Sequence, residues 1–173
     1  EMGAKEVILL GQNVSSYSSN IMEDGEEVSV NLSKLCNLIS SIDGLDRIRY
    51  LTSHPNDIKS DLINEHCTNK KLMPFLHLPI QSGSDRILKK MNRNHLRNDY
   101  IELVKRIKLK INNIAFSSDF IVGYPGETEN DFDQTIDLIE QVGFASSYSF
   151  KYSPRAGTQS SLKHLDLVNE NVS

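Results

Sequence analysis

The stretch from Asp119 to Thr128, Asp-Phe-Ile-Val-Gly-Tyr-Pro-Gly-Glu-Thr, sets two carboxylates, two glycines and a proline at the end of an apolar run. Glycines there let a flat or bulky ligand group approach the backbone, and a helix starting just beyond favours negative charge. Asp119 and Glu127 can accept hydrogen bonds from hydroxyls or an amine. An ordinary tight strand-to-helix turn has the same pattern, and short glycine motifs alone do not separate the two. Gln81-Ser82-Gly83-Ser84-Asp85 is a second polar loop entering a helix. Ser84 is a natural N-cap, whereas Gln81 and Ser82 are more than a cap requires. Gln12 and Asn13 end the first apolar run in the same way, with a simple turn as the alternative.

Other reactive side chains carry less. His54 and His77 have no carboxylate or second histidine at ligand spacing on the same element, which favours structural histidines. Cys36 falls on the apolar stripe of a helix and reads as a core thiol. Cys67 ends a short helix, and neither cysteine neighbours an activating base. Two cysteines so far apart cannot hold a metal cluster by themselves. Between Arg86 and Lys110 stand nine basic and two acidic residues, a net +7 in a chain whose total is -4. Lys89, Lys90, Arg93, Arg97, Lys105 and Arg106 could meet nucleic-acid phosphates, but solvated helix faces produce such runs more often.

These residues need a scaffold, and the hydrophobic pattern supplies one. Apolar runs at 7–10, 48–51, 75–78 and 116–122, closed by the segment 147–152, predict five strands, with helical stripes between them. Val7-Ile8-Leu9-Leu10 suits a strand buried on both faces, and residues 15–31 read as an exposed loop. Leu32, Leu35, Cys36, Ile39 and Ile42 stripe one helix, Ile101, Val104 and Ile107 another, and Phe132, Ile136 and Ile139 a third. Thr128 with Asp131 makes a capping-box-like start for the last of these. Consecutive βαβ units follow, hence an α/β fold with a parallel sheet, either a curved barrel or a doubly wound sheet. At 173 residues the chain holds only part of an eight-unit barrel, which needs about 250. Every predicted strand ends in polar or Gly/Pro sequence, and in parallel α/β folds ligands bind at that edge.

Composition adds limits. With 38% hydrophobic and 24% charged residues the chain reads as one soluble globular domain, and disordered, collagenous and disulfide-rich classes are excluded. No apolar run approaches a membrane span and no signal peptide is evident, so a cytoplasmic protein is expected. Residue 1 is Glu, in sequence that reads like a helix running into a strand.

Taken in order, Leu10-Gly11-Gln12-Asn13-Val14, Thr52-Ser53-His54-Pro55, Leu76 to Asp85, Ser117 to Thr128 and Tyr152-Ser153-Pro154-Arg155-Ala156-Gly157-Thr158 closely resemble the radical S-adenosylmethionine methylthiotransferases. The branch most similar adds a methylthio group at C2 of N6-isopentenyladenosine in tRNA, next to the anticodon. The resemblance implies strands two to six of a partial (βα)6 barrel over residues 1–160, with 161–173 starting a linker toward a C-terminal TRAM domain. It also implies a transferase that uses S-adenosylmethionine, with tRNA and an electron donor as partners. By motif match Gly123, Pro125, Gly126 and Glu127 fall on the loop that packs against adenine. Asp119, Gln81, Ser82 and Ser84 would face ribose and methionine, Gln12 and Asn13 take the place of the amino-group motif, and Arg155 stands on the substrate side.

The departures matter as much. The family's CxxxCxxC loop for a [4Fe-4S] cluster and the three cysteines of its auxiliary cluster have no counterpart in this sequence. Protein side chains cannot replace cluster chemistry, so the chain alone is expected to be inactive. It reads as an excerpt of a longer enzyme or the product of a split or decayed gene. Two alternatives stay open: a non-catalytic α/β nucleotide-binding or docking module, and the branch that modifies an aspartate of ribosomal protein S12.

Overall fold

The computed structural model describes residues 3–51 and 53–154; Arg155 and the 161–173 linker expected from the sequence lie outside them. The chain divides into two compact units, one containing the residues up to Leu78 with Lys105–Phe116, the other Pro79–Val104 with the chain from Ser117.

In the first unit, β1 (Glu6–Leu9) pairs in parallel with β4 (Arg47–Tyr50), from Glu6 opposite Arg47 to Leu9 opposite Tyr50. Between them in sequence come β2 (Ser18–Glu23) and β3 (Glu26–Asn31), then α1 (Leu32–Ser40). The antiparallel β2–β3 hairpin replaces the exposed loop expected over 15–31. Asp24 and Gly25 at its tip both have positive φ, and exposed strands with little apolar alternation leave a weak sequence signal. Asn31 caps α1, its side chain accepting from the Lys34 amide at 2.9 Å. The helix ends at Ser40, so Ile42 falls outside it and is exposed. β1 is not buried on both faces either: Ile8 and Leu10 are 47% and 74% exposed.

The core of this unit gathers Val30, Leu32, Cys36, Ile48, Leu62, Ile63 and Leu76. Leu62 and Ile63 come from α2 (Ser60–Thr68), and Leu76 from β5 (Phe75–His77). Tyr50 and His66 are buried with them, joined by a 2.7 Å bond between Tyr50 Oη and His66 Nε2. Burial pushes His66 down to about 4.

In the second unit, β6 (Ala115–Val122), which starts in the first unit, pairs in parallel with β7 (Ser146–Lys151), Asp119 facing Tyr148 and Ile121 facing Phe150. On β6's other side Gln81 forms a parallel bridge with Phe120: the Gln81 amide donates to the Asp119 carbonyl at 3.0 Å and the Ile121 amide to the Gln81 carbonyl at 2.9 Å. α3 (Asp85–Lys90), α4 (Arg97–Lys110) and α5 (Glu129–Val142) complete the elements. α5 begins with the expected capping box of Thr128 and Asp131 and stops at Gly143, whose φ of 62° is left-handed. Its buried face is Asp131, Thr135, Leu138 and Val142; Phe132 and Ile136 of the expected stripe are part-exposed.

Candidate functional site

Parallel pairing puts alternate residues of β6 and β7 on opposite faces. On one face Asp119, Ile121 and Phe150 line a pocket of about 650 Å³, with Gln81, Met91, Arg93, Tyr124 and Tyr152 among the other walls. On the opposite face Phe120, Val122 and Ser149 line an apolar pocket of about 340 Å³ with Gly123, Glu127 and, from α5, Phe132, Ile136 and Ile139.

Two polar groups in the larger pocket, the Arg93 side chain and the Tyr152 hydroxyl, lack a partner among the described residues. The Arg93 side chain is half-buried, burial lowers its pKa, and nothing opposes that shift. The Tyr152 hydroxyl is buried without a hydrogen bond, while its ring meets Tyr124 edge to face at 5.1 Å. The Gln81 carboxamide stands on backbone held at φ 81°, a conformation costly for a side-chain-bearing residue. Desolvated polar groups left this way favour a ligand with complementary charge.

The loop after β6 is built by turns and ties. Gly123 and Gly126 have φ of 70° and 74°, which only glycine adopts cheaply. The Glu127 carboxylate accepts from the Gly123 amide at 2.6 Å, and the Glu127 amide donates to the Tyr124 carbonyl at 2.8 Å. Burial raises the Glu127 carboxyl above its ordinary value, against the lowering effect of the loop amides. From α3, Arg86 donates to the Gly126 carbonyl at 2.6 Å and Lys90 to the Pro125 carbonyl at 3.2 Å.

The sequence-predicted residues thus separate. Gln81 and Asp119 come together in the larger pocket, whereas Gly123 and Glu127, in one loop with Pro125 and Gly126, line the apolar pocket on the other face. Ser82 and Ser84 are fully buried and turned toward α5, where Ser84 Oγ donates to Asp131 at 2.6 Å. Gln12 and Asn13 belong to the first unit. Gln12 is exposed, and Asn13 is bonded to Asp57, Ser15 and the His54 amide. His54 Nδ1 accepts from the Asn56 amide, the structural use expected of it. Several cations of the basic strip hold the fold together: Arg86 pairs with Asp131, Arg97 with Asp137, and Lys90 binds the loop carbonyl.

Arg93 is the residue that sequence reasoning missed, counted only as one charge in that strip. It reaches the pocket through a left-handed turn at Asn92, φ 58°, with the Asn92 amide bonded to the Lys89 carbonyl and the Arg93 amide to that of Leu88. This is a Schellman ending, and the Asn after Lys89-Lys90-Met91 was the available signal.

The sequence profile described as the Radical SAM superfamily matches residues 1–139. The chain belongs to the radical SAM superfamily. Among its curated relatives is tRNA-2-methylthio-N(6)-dimethylallyladenosine synthase of Anaplasma phagocytophilum, 54% identical over 158 residues, covering 91% of this chain and 35% of the relative. The protein of the same name from Cereibacter sphaeroides is 54% identical over 163 residues, covering 94% and 36%. The chain therefore spans about a third of the length of the curated relatives it matches. Two solved structures align with it at TM-score 0.62 and 16% identity. These are coproporphyrinogen III oxidase (HemN) from Escherichia coli, covering 81% of this chain and 33% of that one, and an archaeal Elp3 from Methanocaldococcus infernus, covering 94% and 41%. The α/β fold with parallel strands is that of a partial radical SAM barrel, as expected.

Radical SAM enzymes combine S-adenosylmethionine with a [4Fe-4S] cluster. The described residues do not fit the cluster: Cys36 is buried in α1, Cys67 is exposed on α2, and no group of three or more His, Cys, Asp or Glu among them is placed to hold a metal. They do fit the adenosyl ligand, because the larger pocket offers a half-buried cation, hydrogen-bonding side chains and the ring of Tyr124 from the loop after β6.

Proposed function

We propose that the pocket of the second unit holds the adenosyl half of S-adenosylmethionine for a tRNA methylthiotransferase acting at C2 of N6-isopentenyladenosine. The observation that carries the reading is the half-buried Arg93 facing the same pocket as Gln81 and Asp119. A zwitterionic amino acid joined to a nucleoside matches that set. Arg93 takes the carboxylate in a charge-assisted bond, Asp119 and Gln81 take hydroxyl or amine protons, and the Gly123–Glu127 turn, which reaches this pocket at Tyr124, takes the flat base. S-adenosylmethionine, when bound and reduced by an electron donor, supplies the radical chemistry. Arg155 is proposed to serve the tRNA side, in a core of residues 1–160 followed by a linker over 161–173. No helix among the described residues is long and apolar enough to cross a membrane, and we expect the protein to work in the cytoplasm on tRNA.

Two measurements test this. Isothermal titration of S-adenosylhomocysteine should give binding to the chain that Arg93→Gln weakens at least about tenfold, the range for one charged hydrogen bond. Equal affinity of the two proteins would remove Arg93 from the site. For the reaction, this chain grafted in place of the matching segment of the Anaplasma phagocytophilum relative should still produce methylthiolated nucleoside, read by mass spectrometry of tRNA digests. A folded, cluster-loaded chimera without product would sink the tRNA reading.

A further inference from the structure

We propose that Asp131, with Arg86, is a positioning residue that holds the Gln81–Ser84 loop and the Gly123–Glu127 loop in one fixed relation. The proposal rests on the adenosyl-site reading, which supplies the ligand those loops serve.

A capping box requires of its N3 carboxylate one bond, to the N-cap amide. Asp131 makes that bond, from Thr128 N at 2.9 Å, and accepts the Thr128 hydroxyl at 2.5 Å. It then does more than a cap. Ser84 Oγ donates to Oδ1 at 2.6 Å, and Arg86 donates from both Nε, at 3.3 Å, and Nη2. The same Nη2 reaches the Gly126 carbonyl at 2.6 Å. One buried carboxylate therefore joins the end of the Gln81 loop, the start of α5 and, through Arg86, the glycine turn. Burial opposes its ionisation, but the Arg86, Ser84 and Thr128 bonds outweigh that and hold the carboxyl below the usual range.

One turn further along α5 a second tie works on the same loop. Thr135 Oγ1 accepts from the Gly83 amide at 2.9 Å, and a Cβ on Gly83 would overlap the Gln134 carbonyl and the Thr135 Cα. The Gln81 loop thus lies against the α5 backbone without clearance. Ser82 and Ser84, which from sequence looked like ligand contacts, act here through Asp131 and Thr135.

The test uses the isotopically labelled chain, with S-adenosylhomocysteine as probe, and three variants. Asp131→Asn keeps the shape and loses the charge; Arg86→Gln cuts the link to Gly126 from the exposed side and covers the case in which Asp131→Asn does not fold. Leu138→Ala, at a fully buried position of α5 about two turns beyond Asp131, is the control for destabilisation alone. Expected are amide shifts at both Gly83–Ser84 and Gly123–Glu127 in the free Asp131→Asn and Arg86→Gln proteins. Binding should weaken by about tenfold, within the range of coupled positions. Leu138→Ala should lower stability with affinity unchanged. Shifts confined to the start of α5, or an equal loss of affinity in Leu138→Ala, would overturn the proposal. If the wild-type chain does not bind the probe, the adenosyl reading fails with it, whereas the free-protein shifts still decide whether Asp131 couples the loops.

Discussion

At the end of β1, Asn13 uses both ends of its amide within the first unit: Nδ2 donates to Asp57 at 2.6 Å, and Oδ1 accepts from Ser15 and from the His54 amide. In the second unit, Arg93 and Tyr152 line the pocket beside β6 with no such partners among the described residues. Both regions follow an apolar strand with glycine and amide side chains. The first completes its own hydrogen bonding and so reads as architecture, whereas the second keeps desolvated groups waiting, at a cost in stability that a ligand would offset. Asp131 sharpens the contrast from inside the second unit, since its carboxylate is fully engaged where Arg93 and the Tyr152 hydroxyl are not.

The largest expected effect bears on the rigid side of this contrast. Gly83→Ala forces the Gln81 loop off α5, and urea denaturation should lose about 3 kcal/mol or more, the upper range for overpacking. A loss under about 1 kcal/mol would mean that the loop has room after all. Acid separates the two units next. His66 has its folded pKa below its unfolded one, so the unfolded state binds the extra proton between about pH 6.5 and the folded value of about 4. The first unit should lose up to about 3 kcal/mol as pH falls through that window and nothing further below it on this account. Asp131 has the same sign in a lower window: its folded pKa is also depressed, so its contribution is present above the ordinary carboxylate range and fades only in stronger acid. Fluorescence-detected melts at pH 7 and pH 4.5 should show the first unit opening earlier at the lower pH, an effect that His66→Phe removes.

Smaller effects set the two polar clusters directly against each other. Asn13→Ala should cost about 1 to 2 kcal/mol of first-unit stability, because it leaves the His54 amide and Asp57 without their bonds. Arg93→Gln should change second-unit stability by less than about 0.5 kcal/mol, since no folded-state bond is lost, while ligand affinity falls. A stability loss at Arg93 as large as that at Asn13 would erase the distinction between the two regions.

Much of the fold was legible because it rests on local signals. Thr128 and Asp131 announced their capping box, Ser84 its cap, and the apolar runs β4, β5 and β6. The hairpin over 18–31 was not, because exposed strands carry no apolar alternation and the chain reversal rests on one Asp-Gly pair. The α5 stripe was misassigned for a related reason. Phe132 and Ile136 look like core, but the buried side of the helix is polar at Asp131 and Thr135, where it meets the Gln81 loop. Gln81 and Asp119 could be found from strand ends alone. Arg93 could not, since its place depends on a reversal at Asn92 and on burial that only packing creates.

The two thiols give the first unit a built-in clock. Cys67 is exposed, whereas Cys36 is fully buried and its thiol is pushed up to about 12, so an alkylating reagent at neutral pH should modify Cys67 promptly. Modification of Cys36 then has to wait for the surrounding helices to part, and its rate reports how often they do. Both cysteines lie on that unit, so the second equivalent of reagent times its opening without a signal from the other.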